Sequence, residues 1–329
     1  MLNRNRRIWT LSLTTACVAA AVAPMSVFAQ AKYPSRAIRF ISPAPPGGLS
    51  DTIPRALGPD LATAMSTQVV VENRGGAGGS IAAAAVAQAP ADGYTLLLGT
   101  AGMMTLNPYF MPNLAYDTRK DFVGLALVAF TPLYLVVRAD SPFKTLNELI
   151  AAAKAGPGTL AYGHLGNGST AAIASAMLAK SKGLDFIDVP YAGYGPALTE
   201  LLAGRLAFSM VDGGSLGRIE QGSLRALAVT TAQRAKRLPN VPSLKELGVD
   251  IDMAVWFGVY ARTGLPAEAA LRLRDELQRA TASPAFRTQL HTFGLEPGTV
   301  FGDDFQKFHL AEIKRLGQVL PALGLKGLV

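Results

Sequence analysis

With 329 residues, half of them apolar, the chain is long enough to bury a core in each of two domains. Its single cysteine, Cys17, excludes a disulfide framework and a thiolate metal cluster. The formal charge of +8 (31 Lys and Arg against 23 Asp and Glu) forms no basic stripe interleaved with aromatics, so no nucleic-acid partner is expected.

The N-terminus carries an export pattern. Arg4, Arg6 and Arg7 precede an apolar stretch, and Val27-Phe28-Ala29 offers a small-x-small cleavage site, so residues 1–29 read as a cleaved signal peptide. Arg6-Arg7 leaves a twin-arginine route open beside the general secretory one. Cleavage would remove Cys17 and lower the charge to +5, with 28 basic residues against 23 acidic. A mild positive excess favours the approach of anions.

Strand candidates follow at Ile38–Ser42, Gln68–Glu72, Thr95–Gly99, Tyr134–Arg138, Thr159–Tyr162, Phe186–Pro190, Ala207–Val211 and Arg225–Val229. Helical spacing occupies the gaps, at Asp51–Met65, Ser80–Gln88, Leu146–Lys154, Ser169–Lys180 and Pro196–Leu202, and then dominates the C-terminal part. The last helices are expected at Pro266–Thr281, Pro284–His291 and Asp303–Leu320. This alternation predicts an α/β protein with mainly parallel sheets and helices on both faces. No linker divides the chain, so the C-terminal helices are expected to return to the first domain.

Glycine-rich turns follow strand after strand: Gly47-Gly48-Leu49-Ser50-Asp51, Gly75–Ser80, Gly99–Gly102, Gly166–Thr170, Tyr191–Pro196 and Asp212–Ser215. Such turns gather at the carboxyl ends of parallel strands, where open α/β sheets bind ligands. Glycines admit close backbone approach, and helix N-termini favour a carboxylate. Asp51 reads as an N-cap. Asp212 reads equally as a cap or as the acceptor for a ligand ammonium or hydroxyl.

Catalytic readings are weaker. Gly163–Thr170 has a P-loop frame, but Ser169 stands where lysine is required. Gly213-Gly214-Ser215-Leu216-Gly217 matches a nucleophile elbow, followed by Asp250, Asp252 and His291 in hydrolase order. Against it, no His-Gly-Gly-Gly segment precedes, and His291 reads as a surface helix residue. A secreted serine hydrolase using Ser215 remains the rival reading. His164, His291 and His309 are too dispersed for a metal site, so no metal or cofactor is expected. His309, like His291, is expected on a helix surface.

Longer stretches carry a resemblance. YPSRAIRFISPAPPGGLSD (33–51), VVVENRGGAGGSIAAAAVAQAPADGYTLLLGT (69–100), GNGS (166–169), VPYAGYGPALTELLAGRL (189–206), RALAVTTAQRAKRLPNVPSLKELG (225–248) and Trp256-Phe257-Gly258 resemble the Bug family of extracytoplasmic solute receptors. These serve tripartite tricarboxylate transporters. The resemblance implies a periplasmic-binding-protein Venus flytrap, with two doubly wound α/β domains around a ligand cleft. Domain 1 would comprise 30–132 and 251–329, and domain 2 residues 133–250. The implied function is periplasmic capture of a small carboxylate by hinge closure, without catalysis, followed by delivery to membrane transporter subunits or signalling to a sensor kinase. The ligand would be a dicarboxylate, amino acid or aromatic acid, and the receptor a monomer.

In such receptors the first loop holds the ligand carboxylate through backbone N–H groups and ordered water. Carried over, that loop is Gly47, Gly48, Leu49, Ser50 and Asp51, beside Thr100 and Ala101. The opposite domain would contribute Asn167, Ser169, Thr170, Ala192, Gly193 and Asp212. Three departures from the family pattern fall here: the bulky Leu49, His164-Leu165 in place of small polar residues, and Asp212-Gly213 in place of Asp-Asn. His164 is accordingly expected to contact the distal end of the ligand.

Overall fold

The computed structural model describes residues 33–324 apart from 112, 167 and 192, so the leader expected over 1–29 lies outside the described residues. The chain runs β1 (Ile38–Ser42), α1 (Leu49–Met65), β2 (Val69–Asn73), α2 (Ser80–Ala87) and β3 (Thr95–Thr100). A π turn over Gly102–Leu106 then leads into α3 (Asn107–Phe110). Next come β4 (Phe122–Pro132), β5 (Tyr134–Arg138), α4 (Leu146–Ala155), β6 (Ala161–His164), α5 (Thr170–Lys182), β7 (Ile187–Pro190) and α6 (Tyr194–Leu202). The chain continues through β8 (Phe208–Val211), a 3-10 turn at Gly213–Ser215, α7 (Leu216–Glu220) and β9 (Leu224–Val229). It closes with β10 (Ala254–Arg262), α8 (Ala267–Ala282), α9 (Pro284–Thr292), β11 (Glu296–Pro297) and α10 (Gly302–Ala322).

Two sheets result. The first has the order β11-β4-β10-β3-β1-β2, and the second β7-β6-β8-β5-β9. Alternation along each strand feeds both faces, as a pleated strand requires. Phe40, Leu96 and Leu98 face the core under α1 and α8, whereas Ile41 and Leu97 face Tyr260 and Phe305. In the second sheet Leu135 and Val137 pack with α4 and α5, and Tyr134 and Val136 pack with α6 and α7.

The expectation of mainly parallel sheets is corrected. β2, β1 and β3 are parallel, as are β7, β6 and β8, but β10 runs antiparallel to β3 and β4, and β5 runs antiparallel to β8 and β9. The antiparallel strands are those beside the crossings between sheets: β4 passes into β5 through Leu133, and the chain returns at Met253 into β10. Neither β4 nor β10 is among the sequence's strand candidates. Both are nearly continuous apolar runs, buried along most of their length, without the alternation that marks a half-buried strand.

The C-terminal helices divide their contacts. α8 and α9 pack against α1 on the first sheet. α10 is 21 residues long, roughly 30 Å at 1.5 Å per residue. Its Phe305 lies in the first sheet's core, while Leu316 and Leu320 join the second sheet's core.

Candidate functional site

The parallel strands of both sheets end in the glycine-rich turns anticipated above. After β1, Gly47 adopts φ +93, a conformation that favours glycine, and Gly48 is the N-cap of α1. The N-cap assignment for Asp51 is therefore corrected: it is the third helical residue and reaches back to the loop. Its Oδ2 accepts the Gly47 N–H at 2.9 Å, while Oδ1 accepts from Arg55 Nε at 2.9 Å and Asn73 Nδ2 at 2.8 Å.

With both oxygens engaged and the side chain 5 % exposed, Asp51 braces the loop. The Arg55 guanidinium, with Gly47 N–H and Asn73 helping, holds its carboxyl down at about 2. The first-turn N–H groups of Leu49 and Ser50 have no acceptor within the helix, so the loop presents donors beside the positive end of the helix dipole. Leu49 also packs its side chain on the first core. Arg55 was discoverable as the i+4 partner of Asp51. Asn73 was not, because only tertiary structure brings the end of β2 to this loop.

Thr100 ends β3, and its Oγ1 accepts the Met103 N–H at 3.3 Å. Ala101 is buried, and its carbonyl accepts from Thr105 Oγ1 at 2.6 Å. The π turn that follows brings Gly102 toward the second sheet, where a β-carbon on it would stand 3.6 Å from the Gly168 carbonyl oxygen. The turns after β3 and β6 therefore face each other closely, with room for about one β-carbon between Gly102 and the Gly168 carbonyl.

On the second sheet, Ser169 caps α5 by accepting the Ala172 N–H at 3.1 Å, and Thr170 is buried in the first turn. Gly193 is the extended N-cap of α6. Asn167 and Ala192 lie outside the described residues. Asp212 caps the 3-10 turn, its Oδ1 accepting the Gly214 N–H at 3.0 Å. Burial pushes its carboxyl up to about 6, against the lowering effect of that bond; the Tyr194 hydroxyl is raised by desolvation and, secondarily, by the Asp212 charge.

Two histidines are placed differently from expectation. His164 is wholly buried, with both ring nitrogens engaged inside the second sheet, so the expected contact with a ligand is corrected to an internal one. His309 is also fully buried, with Nε2 at 3.3 Å from the Met104 carbonyl, rather than on the helix surface. The signal was present: Phe305, His309, Ile313, Leu316 and Leu320 trace one face of α10.

The hydrolase constellation does not assemble among the described residues. Ser215 is buried in the 3-10 turn, and the imidazole of His291 faces the Arg237 guanidinium at 3.2 Å. A cavity of about 370 Å³, between Arg138, Phe143, Ile187 and Arg205, lies at the opposite ends of β6 and β8, and both arginines there are paired with carboxylates. No group of acidic, histidine or cysteine side chains suited to a metal occurs among the described residues. No helix among them is long and apolar enough to cross a membrane.

Residues 53–325 match the model of the tripartite tricarboxylate transporter family receptor. Protein BugT of Bordetella pertussis is 34 % identical over 297 residues, 89 % of this chain and 91 % of that protein. An R. palustris protein solved with adipate is 33 % identical, with a TM-score of 0.79 over 89 % of this chain and 98 % of its own. MatC of Rhodopseudomonas palustris, with bound malate, is 28 % identical, with a TM-score of 0.75 over 88 % of this chain and 100 % of its own.

Proposed function

The chain belongs to the tripartite tricarboxylate transporter receptor family, whose members are solute-binding receptors rather than enzymes, and we propose that it captures a small carboxylate in the periplasm. The proposed lobes follow the division expected from the sequence, with residues 133–250 closing against the remainder. The closed form is what a membrane transporter would recognise; a sensor kinase reading the same form is the second reading within this function.

The observation that carries the proposal is the Gly47–Asp51 loop. Its brace through Asp51, Arg55 and Asn73 holds the Leu49 and Ser50 N–H groups ready before any ligand arrives. Such preorganised donors at a helix N-terminus suit a carboxylate, and each charge-assisted bond there contributes roughly 1.5–3 kcal/mol. Micromolar capture requires only about −8 kcal/mol, which a few such bonds reach after the cost of closure. Lobe rotation would then bring the Gly166–Thr170 turn, Gly193 and Asp212 over the ligand.

The adipate and malate of the neighbouring structures make dicarboxylates the first probes. After partial unfolding and refolding to strip carried ligand, a thermal-shift screen should include dicarboxylates, amino acids and aromatic acids. A binder at a hundred times its Kd stabilises the fold by about 2.7 kcal/mol and raises Tm accordingly. If no member of the panel raises Tm, carboxylate capture is wrong. Ester turnover abolished by Ser215→Ala would instead establish the hydrolase.

A further inference from the structure

His164 ends β6, and its ring joins a neighbouring strand to a turn of the candidate site. Nδ1 accepts the Gly166 N–H at 3.1 Å, and Nε2 is hydrogen-bonded to Oδ1 of Asp188 on β7. A neutral imidazole nitrogen that accepts carries no proton, so Nε2 holds the hydrogen and donates it to Asp188. The second Asp188 oxygen accepts the Tyr162 hydroxyl at 2.6 Å, and the His164 ring lies 5.5 Å from that of Tyr162.

The links continue into the turn. Gly166 holds φ +91, and its carbonyl accepts the Ser169 N–H at 2.9 Å. Ser169 caps α5, and Gly168 stands opposite Gly102 of the turn after β3. The backbone carbonyl of His164 meanwhile accepts the Tyr191 N–H at 2.8 Å, at the start of the Tyr191–Gly193 turn.

We infer that His164 is a positioning residue for the second-lobe ligand turn: Asp188 fixes its tautomer, and its free Nδ1 fixes Gly166. The residue touches no ligand itself. Its role rests on the reading of this turn as a ligand-holding one. The His-Leu departure from the small polar residues expected at this point then has a use, since a buried acceptor behind the turn restrains what glycine leaves free.

Two near-isosteric variants separate this role from simple packing. Asparagine places its side-chain oxygen near the position of Nδ1 and keeps the acceptor for Gly166. Glutamine is larger and reaches toward Asp188 with its amide, but leaves Gly166 without the acceptor. Hydrogen exchange of the 165–170 segment should stay near wild type in His164→Asn and rise about tenfold in His164→Gln and His164→Ala. Binding of malate and adipate, followed by calorimetry, should weaken about tenfold in the same two variants and little in His164→Asn.

If glutamine preserves the segment as well as asparagine does, the ring is only filling space and the inference is overturned. Exchange that follows the expected order with unchanged affinities retains the tether and removes the turn from the ligand site. A wild type that binds neither acid, with exchange still in the expected order, counts against the carboxylate reading and not the tether. Should a variant fail to fold, the imidazole 15N shifts of the wild-type protein decide the matter, because a proton found on Nδ1 excludes the assignment.

Discussion

Gly213 and Gly294 meet backbone to backbone. A β-carbon on Gly213 would fall 2.1 Å from the Gly294 carbonyl oxygen, and one on Gly294 would fall 2.3 Å from that of Gly213. The Gly213 N–H also donates to Thr131 Oγ1 at 3.1 Å, so the turn after β8 is tied directly to β4 of the other sheet. The contact leaves no room for a side chain at 213, the position where this sequence departs from the family's Asp-Asn pair.

Gly213→Ala and Gly294→Ala should therefore each cost about 1–3 kcal/mol, as overpacking does where neighbours are backbone and cannot rotate away. Gly294, at φ +65, adds conformational strain. Gly193→Ala is the control, since its backbone is extended and no heavy atom lies within 4 Å of the added carbon. Urea unfolding measures all three; a Gly213→Ala protein as stable as wild type would mean that the two segments separate freely.

Much of this architecture was legible. β1 and β5 occupy the predicted Ile38–Ser42 and Tyr134–Arg138, because both strands alternate between two cores. β4 and β10 escaped notice for the opposite reason, since burial of both faces erases the period that distinguishes a strand. The loop glycines were visible as glycines, but the brace on Gly47 depends on Asn73, 22 residues beyond Asp51. His164 shows the same limit. Its strand extends two residues past the predicted end, which turns the ring inward beside Tyr162 and gives it Asp188 as a partner.

The Asp51 brace has a defined pH dependence. Its carboxyl lies at about 2 when folded, below the ordinary value, so the unfolded chain takes up this proton first as pH falls. The stabilisation is complete above about pH 4 and is lost toward pH 2. Asp51→Asn should lose roughly 1–2 kcal/mol at neutral pH, allowing for screening of the half-exposed Arg55, and much less near pH 2. Its carboxylate affinity should also fall, because an asparagine amide, with one acceptor oxygen, cannot hold Gly47, Arg55 and Asn73 together. Denaturation curves for both proteins between pH 2 and pH 7 test this, and parallel curves would contradict it.

His309 acts in another window. Burial lowers its pKa below the ordinary histidine value, and its Nδ1 has no partner among the described residues. The unfolded chain therefore binds this proton before the folded one does, and stability declines as pH falls below about 6.5. His309→Leu keeps an apolar side chain against Trp256 and Tyr260 and removes the titration. The difference in unfolding free energy between variant and wild type should shift in the variant's favour below that pH. A constant difference would show that His309 stays neutral in both states or is charged in both.

Asp212 carries the opposite sign. Its folded carboxyl is raised to about 6, so between about pH 4 and pH 6 the folded state holds a proton that the unfolded state has released. Stability thus falls as pH rises through that interval, and the penalty is complete above it. Asp212→Asn keeps an oxygen for the Gly214 N–H and removes the penalty, so it should gain about 1–3 kcal/mol at pH 7. In the proposed closed receptor, an anionic ligand near Asp212 would push the carboxyl higher still, and capture would take up a proton. Calorimetry of malate binding near pH 6.5, in buffers of different ionisation enthalpy, should detect fractional proton uptake in the wild type and much less in Asp212→Asn. Equal enthalpies in all buffers would place the bound anion away from Asp212 and leave the carboxyl as a turn cap alone.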